Sequence, residues 1–404
     1  MAEGRPLPAP RAPRIFISAA EPSGDRHASA LIQAIRRLQP AATFWGVAGP
    51  LMQAAGCEAV DDFTRRSAML VNAVRLAGHA WRLVRQVGRQ MADGSTDLAI
   101  LVDSPALHLP MAKHIRSAGV PVLYYIAPQL WAWAPWRIRR VRRRVNRMAV
   151  ILPFEEEYFR RRGVDARFVG HPLIEQLESA QPDPEAVEDL RKTGSPVVAC
   201  LPGSRRHVIE EVLPGQIEVA AAIAEHHPDA GFLFAAADET AAAIIRDALA
   251  DHRPPHGARQ DPGTLFKYRV EVSRNAEILA AADLALVASG TATLEVAWHR
   301  LPMVVMYNGS NWGYRLVGRF LITTPHLSLV NILAGKRAVP EFMPYYTSTD
   351  PIAAEALDLL TNEPRRQAVK QDLDAVIRSL GETRAADKTA RIALDMIPQH
   401  PPPV

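Results

Sequence analysis

Polar residues and glycines follow four apolar runs of the sequence, at positions where their side chains could do chemistry. The segments are "AEPSGD" at 20–25, "DSP" at 103–105, "PGSR" at 202–205 and "SGT" at 289–291. Glycine and serine at the start of a helix leave main-chain N–H groups open, and such groups bind phosphate and other anions. The four segments therefore predict contacts to a charged small molecule.

Asp103 is the candidate for acid–base chemistry. A carboxylate directly after a buried parallel strand lies where a general base could accept a proton from a substrate. The alternative is that Asp103 only caps the helix that begins near Pro105. Ser23, Gly24 and Asp25 have the same two interpretations, a ligand-binding turn or a plain turn with a helix cap.

Arg205 is the candidate for binding a phosphate group. It follows Gly203 and Ser204, and its guanidinium can donate paired hydrogen bonds to phosphate oxygens. The segment lacks the GxxxxGK[ST] pattern of a Walker loop. It predicts a phosphate site that is built from helix-end amides and one arginine.

A second turn of this kind contains Ser289, Gly290 and Thr291. Glu295 lies about one helical turn later, where a carboxylate would repel a diphosphate but suit the hydroxyls of a ribose. The two turns together predict a pocket for a nucleotide diphosphate. The alternative is that both are ordinary turns of an α/β fold.

These residues need buried strands to position them. Apolar runs that alternate with amphipathic segments lie at 14–19, 43–49, 97–103, 121–127, 148–154 and 166–170, and again at 195–204, 230–237, 268–273, 282–289 and 301–307. Alternation of this kind is typical of parallel sheets with helices on both faces. The predicted class is α/β, with two doubly wound, Rossmann-like domains that face a cleft and bind ligands at the carboxyl ends of their strands.

The predicted domains follow from where the pattern restarts. Residues 1–13 form a disordered leader without the apolar core of a signal peptide. The N-terminal domain spans 14–174 and the C-terminal domain 175–350, and the polar stretch 175–196 is the best candidate for the linker. Residues 351–404 form helices that pack back across the domains, followed by a proline-rich tail.

Composition limits the classes of protein. The chain of 404 residues has a formal net charge of +4, but the segment 137–147 alone carries seven arginines and no acid, so that the basicity is local. The two cysteines lie far apart and show no metal-ligand spacing, which indicates a reduced, cytoplasmic environment. No apolar stretch reaches about 18 residues, so we expect no spanning helix.

The segment "PQLWAWAPWRIRRVRRRVNR" at 128–147 combines tryptophans with arginines. Its apolar stripe, Ile138, Val141, Val145 and Met148, predicts a helix packed on the sheet with a basic outer face. Anionic lipid head groups would attract that face. A nucleic acid would require aromatic residues interleaved with the charges, so we expect no nucleic-acid partner.

We expect that face to contact the membrane through Arg137, Arg140 and Arg144. A second apolar and basic segment, 69–91, is expected to assist it. Trp131 either lines the cleft or packs at the domain edge, and Trp133 has the same two interpretations.

The sequence resembles the lipid-A-disaccharide synthases, a family of inverting glycosyltransferases with the two-domain GT-B fold. The matching segments follow the family's order and extend from about residue 14 to 343. They are "AEPSGD" (20–25), "GVAGPLMQAAG" (46–56), "VDSP" (102–105), "YYIAPQLWAWAPWRI" (124–138), "ILPFEEEYFRRRGVDARFVGHPL" (151–173), "LPGSR" (201–205), "SGTATLEVA" (289–297), "PMVVMY" (302–307) and "SLVNILAGKRAVPEF" (328–342).

This resemblance implies a reaction in lipopolysaccharide biosynthesis. The family transfers 2,3-diacylglucosamine from UDP to 2,3-diacylglucosamine 1-phosphate, and the products are the β-1,6-linked lipid A disaccharide and UDP. On the matching positions, Asp103 becomes the base and Arg205 the diphosphate clamp, while Thr293 and Asn331 become further donor-site residues. No metal and no cofactor is implied. We expect a cytoplasmic protein that is peripheral on the inner face of the cytoplasmic membrane.

Some positions depart from the family pattern, and they concern the acceptor more than the UDP pocket. They lie at 20–28, at 69–74 and at 343–344. His171, in "GHP", either reaches the ligand or serves a turn. The alternatives are a paralogue with another acceptor, a UDP-sugar epimerase, or a non-catalytic binder of nucleotide sugar or lipid. No feature of the sequence indicates an oligomeric state.

Overall fold

The computed structural model describes residues 12–63, 73–132, 135–251, 266–309, 324–381 and 384–397. The chain divides into two compact units. The N-terminal unit comprises Met1–Pro172 and Gly381–Val404, and the C-terminal unit comprises Leu173–Leu380. Among the described residues, no helix has the length and apolar character that crossing a membrane would require.

A parallel sheet forms the centre of the N-terminal unit. Its strands are β1 (Arg14–Ala19), β2 (Thr43–Val47), β3 (Cys57–Asp61), β4 (Leu98–Val102), β5 (Val122–Tyr125), β6 (Arg147–Val150) and β7 (Asp165–Phe168), in the order β3-β2-β1-β4-β5-β6-β7. The chain runs outward from β1 to β3 and then crosses to β4, so that the switch point of the sheet lies between β1 and β4. Ala19 pairs with Val102 there, and the turns that follow these two strands are neighbours.

Helices cover both faces of this sheet. They are α1 (Pro22–Leu38), α2 (Pro50–Ala54), α3 (Ala73–Gln90), α4 (Pro105–Ser117), α5 (Ile138–Arg144) and α6 (Pro153–Arg160), with α16 (Ala385–Asp395) from the end of the chain. One core contains side chains of α3, α4 and α5, including Val87, Met111 and Val141. The other core joins α1 to α16 through residues such as Leu31 and Ala390.

The C-terminal unit repeats this architecture. Its strands are β8 (Val197–Leu201), β9 (Gly231–Ala236), β10 (Lys267–Val272), β11 (Leu284–Ala288), β12 (Met303–Met306) and β13 (Glu341–Phe342), in the order β10-β9-β8-β11-β12-β13. β8 and β11 pair in parallel, and Leu201 lies opposite Val287. The switch point of this second sheet therefore lies between β8 and β11.

The helices of the C-terminal unit lie between and after these strands. They are α7 (Pro172–Ser179), α8 (Pro184–Arg191), α9 (Arg206–His226), α10 (Glu239–Asp251), α11 (Asn275–Ala281), α12 (Ala292–Trp298), α13 (Leu329–Ala334), α14 (Asp350–Thr361) and α15 (Glu363–Ser379). α7 begins at Pro172, the last residue of the first segment of the N-terminal unit.

The α/β class with two parallel sheets is confirmed, but several elements differ from the prediction. The stretch 175–196 contains helices, because Pro172 and Pro184 occupy first-turn positions that suit proline and Asp183 caps α8. The segment 351–404 is divided, since α14 and α15 belong to the C-terminal unit and α16 to the N-terminal one.

The basic helix is shorter than its apolar stripe indicated. α5 ends at Arg144, because Val145 has extended backbone angles, φ −118° and ψ 133°. Met148 therefore lies on β6 and not on the helix. The cause is the continuous apolar run that begins at Met148, which favours a buried strand.

Candidate functional site

Asp103 and Ser104 form a left-handed turn at the end of β4. Their φ angles are 55° and 45°, in a region that residues other than glycine rarely adopt. Each such residue costs on the order of 1–3 kcal/mol, and they concentrate at functional sites. The Asp103 N–H donates to the Tyr125 carbonyl at 2.9 Å, which ties the turn to β5.

Two side chains donate to the carbonyl oxygen of Asp103. The Tyr124 hydroxyl lies at 2.5 Å and His108 Nδ1 at 2.7 Å, while His108 Nε2 lies 2.8 Å from Ser18 Oγ. Burial lowers the pKa of His108 to about 4, so its ring is neutral. Because a carbonyl only accepts, Nδ1 carries the proton, and Nε2 accepts from the Ser18 hydroxyl.

The carboxyl group of Asp103 has the electrostatics of a base. Burial raises its pKa, the Ser104 N–H lowers it by a hydrogen bond, and the negative charge of Glu21 raises it further. Together these effects raise the pKa of Asp103 above its ordinary value. A carboxylate with a raised pKa binds a proton more strongly, as a general base must.

The turn after β1 lies beside the Asp103 carboxyl group, and its residues differ in exposure and in their contacts. Ser23 is exposed in the first turn of α1. Gly24 is buried, and a Cβ there would lie 3.8 Å from the Val102 carbonyl oxygen, so the start of α1 packs against the end of β4. Asp25 is buried, and its carboxylate accepts from the backbone of α2, from Leu51 N at 3.0 Å and from Met52 N at 3.1 Å.

Asp25 therefore caps the neighbouring helix α2. Both of its oxygens accept hydrogen bonds there, which agrees with the helix-cap interpretation of this residue. The capped helix is not the one that follows Asp25, and it could not be identified in advance because the partners lie 26 and 27 residues away.

Trp131 packs inside the N-terminal unit. It is 7% exposed, its indole nitrogen donates to Glu155 Oε1 at 2.9 Å, and its ring meets Phe154 edge-on at 4.9 Å. Burial raises the pKa of Glu155 to about 7, although hydrogen bonds from Trp131 and the backbone oppose this. Packing is thus the interpretation that applies to Trp131, and Trp133 lies outside the described residues.

His171 follows β7 and is also buried. Its pKa is lowered to about 4 by burial and then by the nearby His27, whose own pKa is lowered to about 4 by burial and by Arg26. Both rings are therefore neutral at physiological pH. They lie in the same unit as Asp103.

The three arginines that were expected to meet a membrane have different environments. Arg140 is exposed, and Arg137 is half-buried. Arg144 is half-buried and donates to the Leu109 carbonyl of α4 at 3.0 Å; burial and the charge of Arg140 lower its pKa. Arg144 thus joins α5 to α4, and it is not a free surface cation.

In the C-terminal unit, the turns after β8 and β11 are neighbours. Gly203 has φ 111°, and a Cβ there would lie 2.7 Å from Val208 Cγ1 and 3.9 Å from Ala288 Cβ, the last residue of β11. Ser204 and Arg205 follow, both exposed. Arg205 is the N-cap residue of α9, a helix of 21 residues whose N-terminus carries partial positive charge.

The turn after β11 is held by its own residues. Gly290 has φ 149°, and Thr293 donates from Oγ1 to the Gly290 carbonyl at 2.7 Å, so Thr293 is buried and shapes the turn from within. Ser289 is half-buried and Thr291 exposed. Gly290, Ser289 and Thr291 form the surface of the turn.

Glu295 lies one turn into α12 and is half-buried. Burial raises its pKa, and a hydrogen bond from Asn275 Nδ2 at 3.3 Å to Oε2 opposes this. The carboxylate retains acceptor capacity, as binding the hydroxyls of a sugar would require.

Asn331 is fully buried, and its amide is saturated. Nδ2 donates to the Val339 carbonyl at 3.0 Å and to Glu341 Oε2 at 2.9 Å, and Oδ1 accepts from the Val339 N–H at 3.0 Å. Asn331 therefore helps to orient the carboxylate of Glu341.

Glu341 is the residue that the sequence analysis did not single out. Its Oε2 also accepts from Ser328 Oγ at 2.7 Å and from Ser328 N at 3.1 Å, and His326 Nδ1 lies 3.6 Å from Oε1. β13, which carries it, has only two residues and lies outside any apolar run, so no strand was predicted there.

Within the described ranges, no cluster of three or more histidine, cysteine, aspartate or glutamate side chains has the arrangement of a metal site.

Comparison with known proteins gives one consistent result. The profile of the family "Lipid-A-disaccharide synthetase" matches residues 15–396. A lipid-A-disaccharide synthase of Syntrophus aciditrophicus is 36% identical over 387 residues, which cover 95% of this chain and 97% of that protein. The same enzyme of Nitrosococcus oceani is 36% identical over 372 residues, which cover 92% and 93%.

Solved structures share the fold at much lower identity. S. aureus MnaA, in a co-structure with UDP, has a TM-score of 0.62 at 10% identity and covers 96% of this chain and 98% of its own. MurG of Acinetobacter baumannii has a TM-score of 0.57 at 12% identity, with 95% and 99% covered. These likenesses establish the architecture of GT-B glycosyltransferases for this chain.

Proposed function

This chain belongs to the lipid-A-disaccharide synthase family, and we propose from this premise how its own residues carry out the reaction of that family. The protein is a glycosyltransferase that depends on a UDP-sugar. It transfers 2,3-diacylglucosamine from UDP to 2,3-diacylglucosamine 1-phosphate, and it forms the lipid A disaccharide and UDP.

In our proposal, Asp103 of the N-terminal unit is the general base. The 6-hydroxyl oxygen of the acceptor attacks the anomeric carbon of the donor, and the Asp103 carboxylate takes the hydroxyl proton. The bond from the anomeric carbon to the diphosphate oxygen breaks, UDP leaves with the electron pair, and the configuration inverts to β. The single observation that carries this assignment is the left-handed Asp103, whose pKa is raised mainly by burial.

The C-terminal unit binds the donor in this proposal. The turns of Gly203–Arg205 and Ser289–Thr291 adjoin at the switch point of the second sheet, which is the usual ligand position in such folds. Arg205 and the main-chain N–H groups of these turns stabilise the charge that develops on the departing diphosphate. Glu295 accepts from the ribose hydroxyls. A metal ion is not required, because the positive charge comes from the protein.

We further propose that the enzyme is peripheral on the inner face of the cytoplasmic membrane. α3, α4 and α5 pack side by side, and none of them contains an aspartate or glutamate. Their exposed basic residues are Arg82, Arg85, Arg89, Lys113, Arg116, Arg139, Arg140, Arg142 and Arg143. We call this surface the basic face. Anionic lipid contributes about 1 kcal/mol per basic residue near the membrane surface.

Two exposed tryptophans accompany the basic face. Trp81 and Trp136 are 58% and 60% exposed, and the guanidinium of Arg85 lies 3.9 Å from the centre of the Trp81 ring. Tryptophan prefers the interface between lipid and water, because its ring is apolar and its N–H is polar. The acylated substrates of the reaction reside in such an interface.

The reaction itself tests the proposal. The purified protein is incubated with UDP-2,3-diacylglucosamine and 2,3-diacylglucosamine 1-phosphate, and mass spectrometry follows the disaccharide and UDP. We expect both products only when both substrates are present. Asp103→Ala should abolish turnover and leave UDP affinity unchanged. Turnover by that variant would refute the base assignment, whereas an altered UDP-sugar without acceptor would favour an epimerase.

A further inference from the structure

The carbonyl of Asp103 is held by side chains from different elements. Tyr124 of β5 donates to it at 2.5 Å and His108 of α4 at 2.7 Å. Ser18 of β1 bonds the second nitrogen of the same imidazole at 2.8 Å. Both strands that flank β4 thus take part in fixing the residue at its end.

The same peptide group controls the Asp103 carboxylate. The Ser104 N–H donates to this carboxylate, and burial acts on its pKa in the opposite direction. The carbonyl oxygen of residue 103 and the N–H of residue 104 belong to one planar trans peptide unit, so they turn together. Donors that lock the carbonyl therefore also lock the N–H that holds the carboxylate.

We propose that Tyr124 and His108 are positioning residues of the reaction, because their hydrogen bonds to the Asp103 carbonyl hold the left-handed Asp103–Ser104 turn and aim its carboxylate at the acceptor hydroxyl. This inference rests on the proposed function, in which Asp103 is the base. Neither residue touches the substrate, and both act through the main chain of Asp103.

The protonation states of the neighbouring groups agree with this role. The pKa of Tyr124 is raised well above its ordinary value by burial and by Asp103, so the hydroxyl keeps its proton and remains a donor. His108 is neutral and fully buried. Glu21, at the start of α1, is the charged neighbour of the Asp103 carboxyl group. Over the pH range of an assay, the protonation states of the two donors, Tyr124 and His108, therefore do not change.

The decisive variant is Tyr124→Phe in the full chain, since it removes one hydroxyl and leaves the ring. We expect kcat to fall about tenfold, as for the loss of one hydrogen bond, with the KM for the UDP donor unchanged. A weaker bond from Ser104 N–H destabilises the charged carboxylate, so its pKa rises. In a plot of kcat against pH, the fall of kcat on the acid side (the acid limb) should move to higher pH by about half a unit to one unit.

Tyr158→Phe is the matched control. The Tyr158 hydroxyl is buried in the same unit and has no hydrogen-bond partner among the described residues. Its removal should leave kcat and the acid limb at the values of the unchanged enzyme. Thermal unfolding of both variants shows whether a lower rate reflects a smaller folded fraction, which would scale the whole profile without moving its limb.

His108 provides an independent test. His108→Asn keeps an N–H donor close to the position of Nδ1, whereas His108→Ala removes the donor. We expect His108→Asn to retain more of kcat than His108→Ala, with an acid limb closer to that of the unchanged enzyme.

The outcomes distinguish this inference from the function on which it rests. If Asp103→Asn retains turnover, the base assignment fails and the positioning role fails with it. If Asp103→Asn is inactive while Tyr124→Phe keeps both its rate and its acid limb, only the positioning role is overturned. A shifted limb in Tyr124→Phe, with none in Tyr158→Phe, supports it.

Discussion

Asn331 donates a hydrogen bond of 2.9 Å to Glu341, and this pair links α13 to the edge strand β13 in the C-terminal unit. Ser328 donates to the same carboxylate from both its hydroxyl and its N–H. A carboxylate with three donors on one oxygen is fixed in its charged form.

Glu341→Gln should lower the free energy of unfolding at pH 7 by about 1–3 kcal/mol, because hydrogen bonds to a charged carboxylate become weaker bonds to a neutral amide. Burial alone would raise the pKa of Glu341, but its hydrogen bonds from Ser328, Asn331 and Leu327 lower it. A lowered pKa stabilises the fold above the unfolded value of about 4.3, and this contribution disappears as the pH falls through the folded pKa.

Denaturant unfolding at pH 7 and at lower pH measures this effect. The difference between the original protein and Glu341→Gln should shrink as the pH falls below about 4. Glu239→Gln is the control, since that side chain is 77% exposed. A difference that stays constant down to acid pH would contradict the prediction.

Arg205→Ala should weaken UDP binding by about 10-fold to 100-fold, the effect of losing a charge-assisted hydrogen bond to phosphate. Calorimetric titration with UDP measures the affinity. Arg206→Ala is the adjacent control, because Arg206 is exposed and pairs with Glu210 in its own helix. Equal losses in the two variants would contradict a specific role for Arg205.

Ser104→Gly should raise the free energy of unfolding by about 1 kcal/mol, because glycine adopts a φ of 45° without strain. The Ser104 hydroxyl is also buried without a hydrogen-bond partner among the described residues. We expect turnover to fall at the same time, since a freer turn presents the Asp103 carboxylate less well. Thermal unfolding and the transferase assay measure the two effects, and a destabilised variant would contradict the strain argument.

The basic face should govern binding to anionic vesicles. Arg85→Glu combined with Arg142→Glu should abolish flotation with vesicles of phosphatidylglycerol at low salt, because each change adds repulsion where attraction was present. Arg246→Glu is a control of the same charge change on an exposed residue of the C-terminal unit. Flotation of the unchanged protein should decrease as salt rises. If the unchanged protein did not float with the vesicles at low salt, the proposed membrane contact would be contradicted.

Chelation should leave the transferase rate unchanged, because the protein supplies the positive charge at the diphosphate. The measurement is the initial rate after dialysis against EDTA. A loss of rate that added magnesium restores would refute the proposed metal-free mechanism.

The strands were predictable where burial on both faces required a continuous apolar run. β1, β4 and β11 lie within such runs, and so the turns of Asp103 and of Ser289–Thr291 were found in the sequence. β3 and β13 were missed, because "CEAVD" has a glutamate in its centre and β13 has only two residues. Periodicity cannot indicate a strand that lacks an apolar pattern.

The partners of polar side chains were not predictable. Asp25 lies in the first turn of α1 and Asn331 lies in α13, and either residue type can bind a ligand or stabilise the fold. What decides is the backbone that each side chain meets in space, Leu51 for Asp25 and Val339 for Asn331. The two donors on the Asp103 carbonyl were hidden for the same reason, since Tyr124 lies 21 residues away in sequence.

The assignment of α16 to the N-terminal unit has a consequence for biosynthesis. During translation, the apolar side of α1, with Leu31 and Ile35, emerges from the ribosome more than three hundred residues before the helix that covers it. The core of the N-terminal unit is therefore completed only after the C-terminal unit has been synthesised.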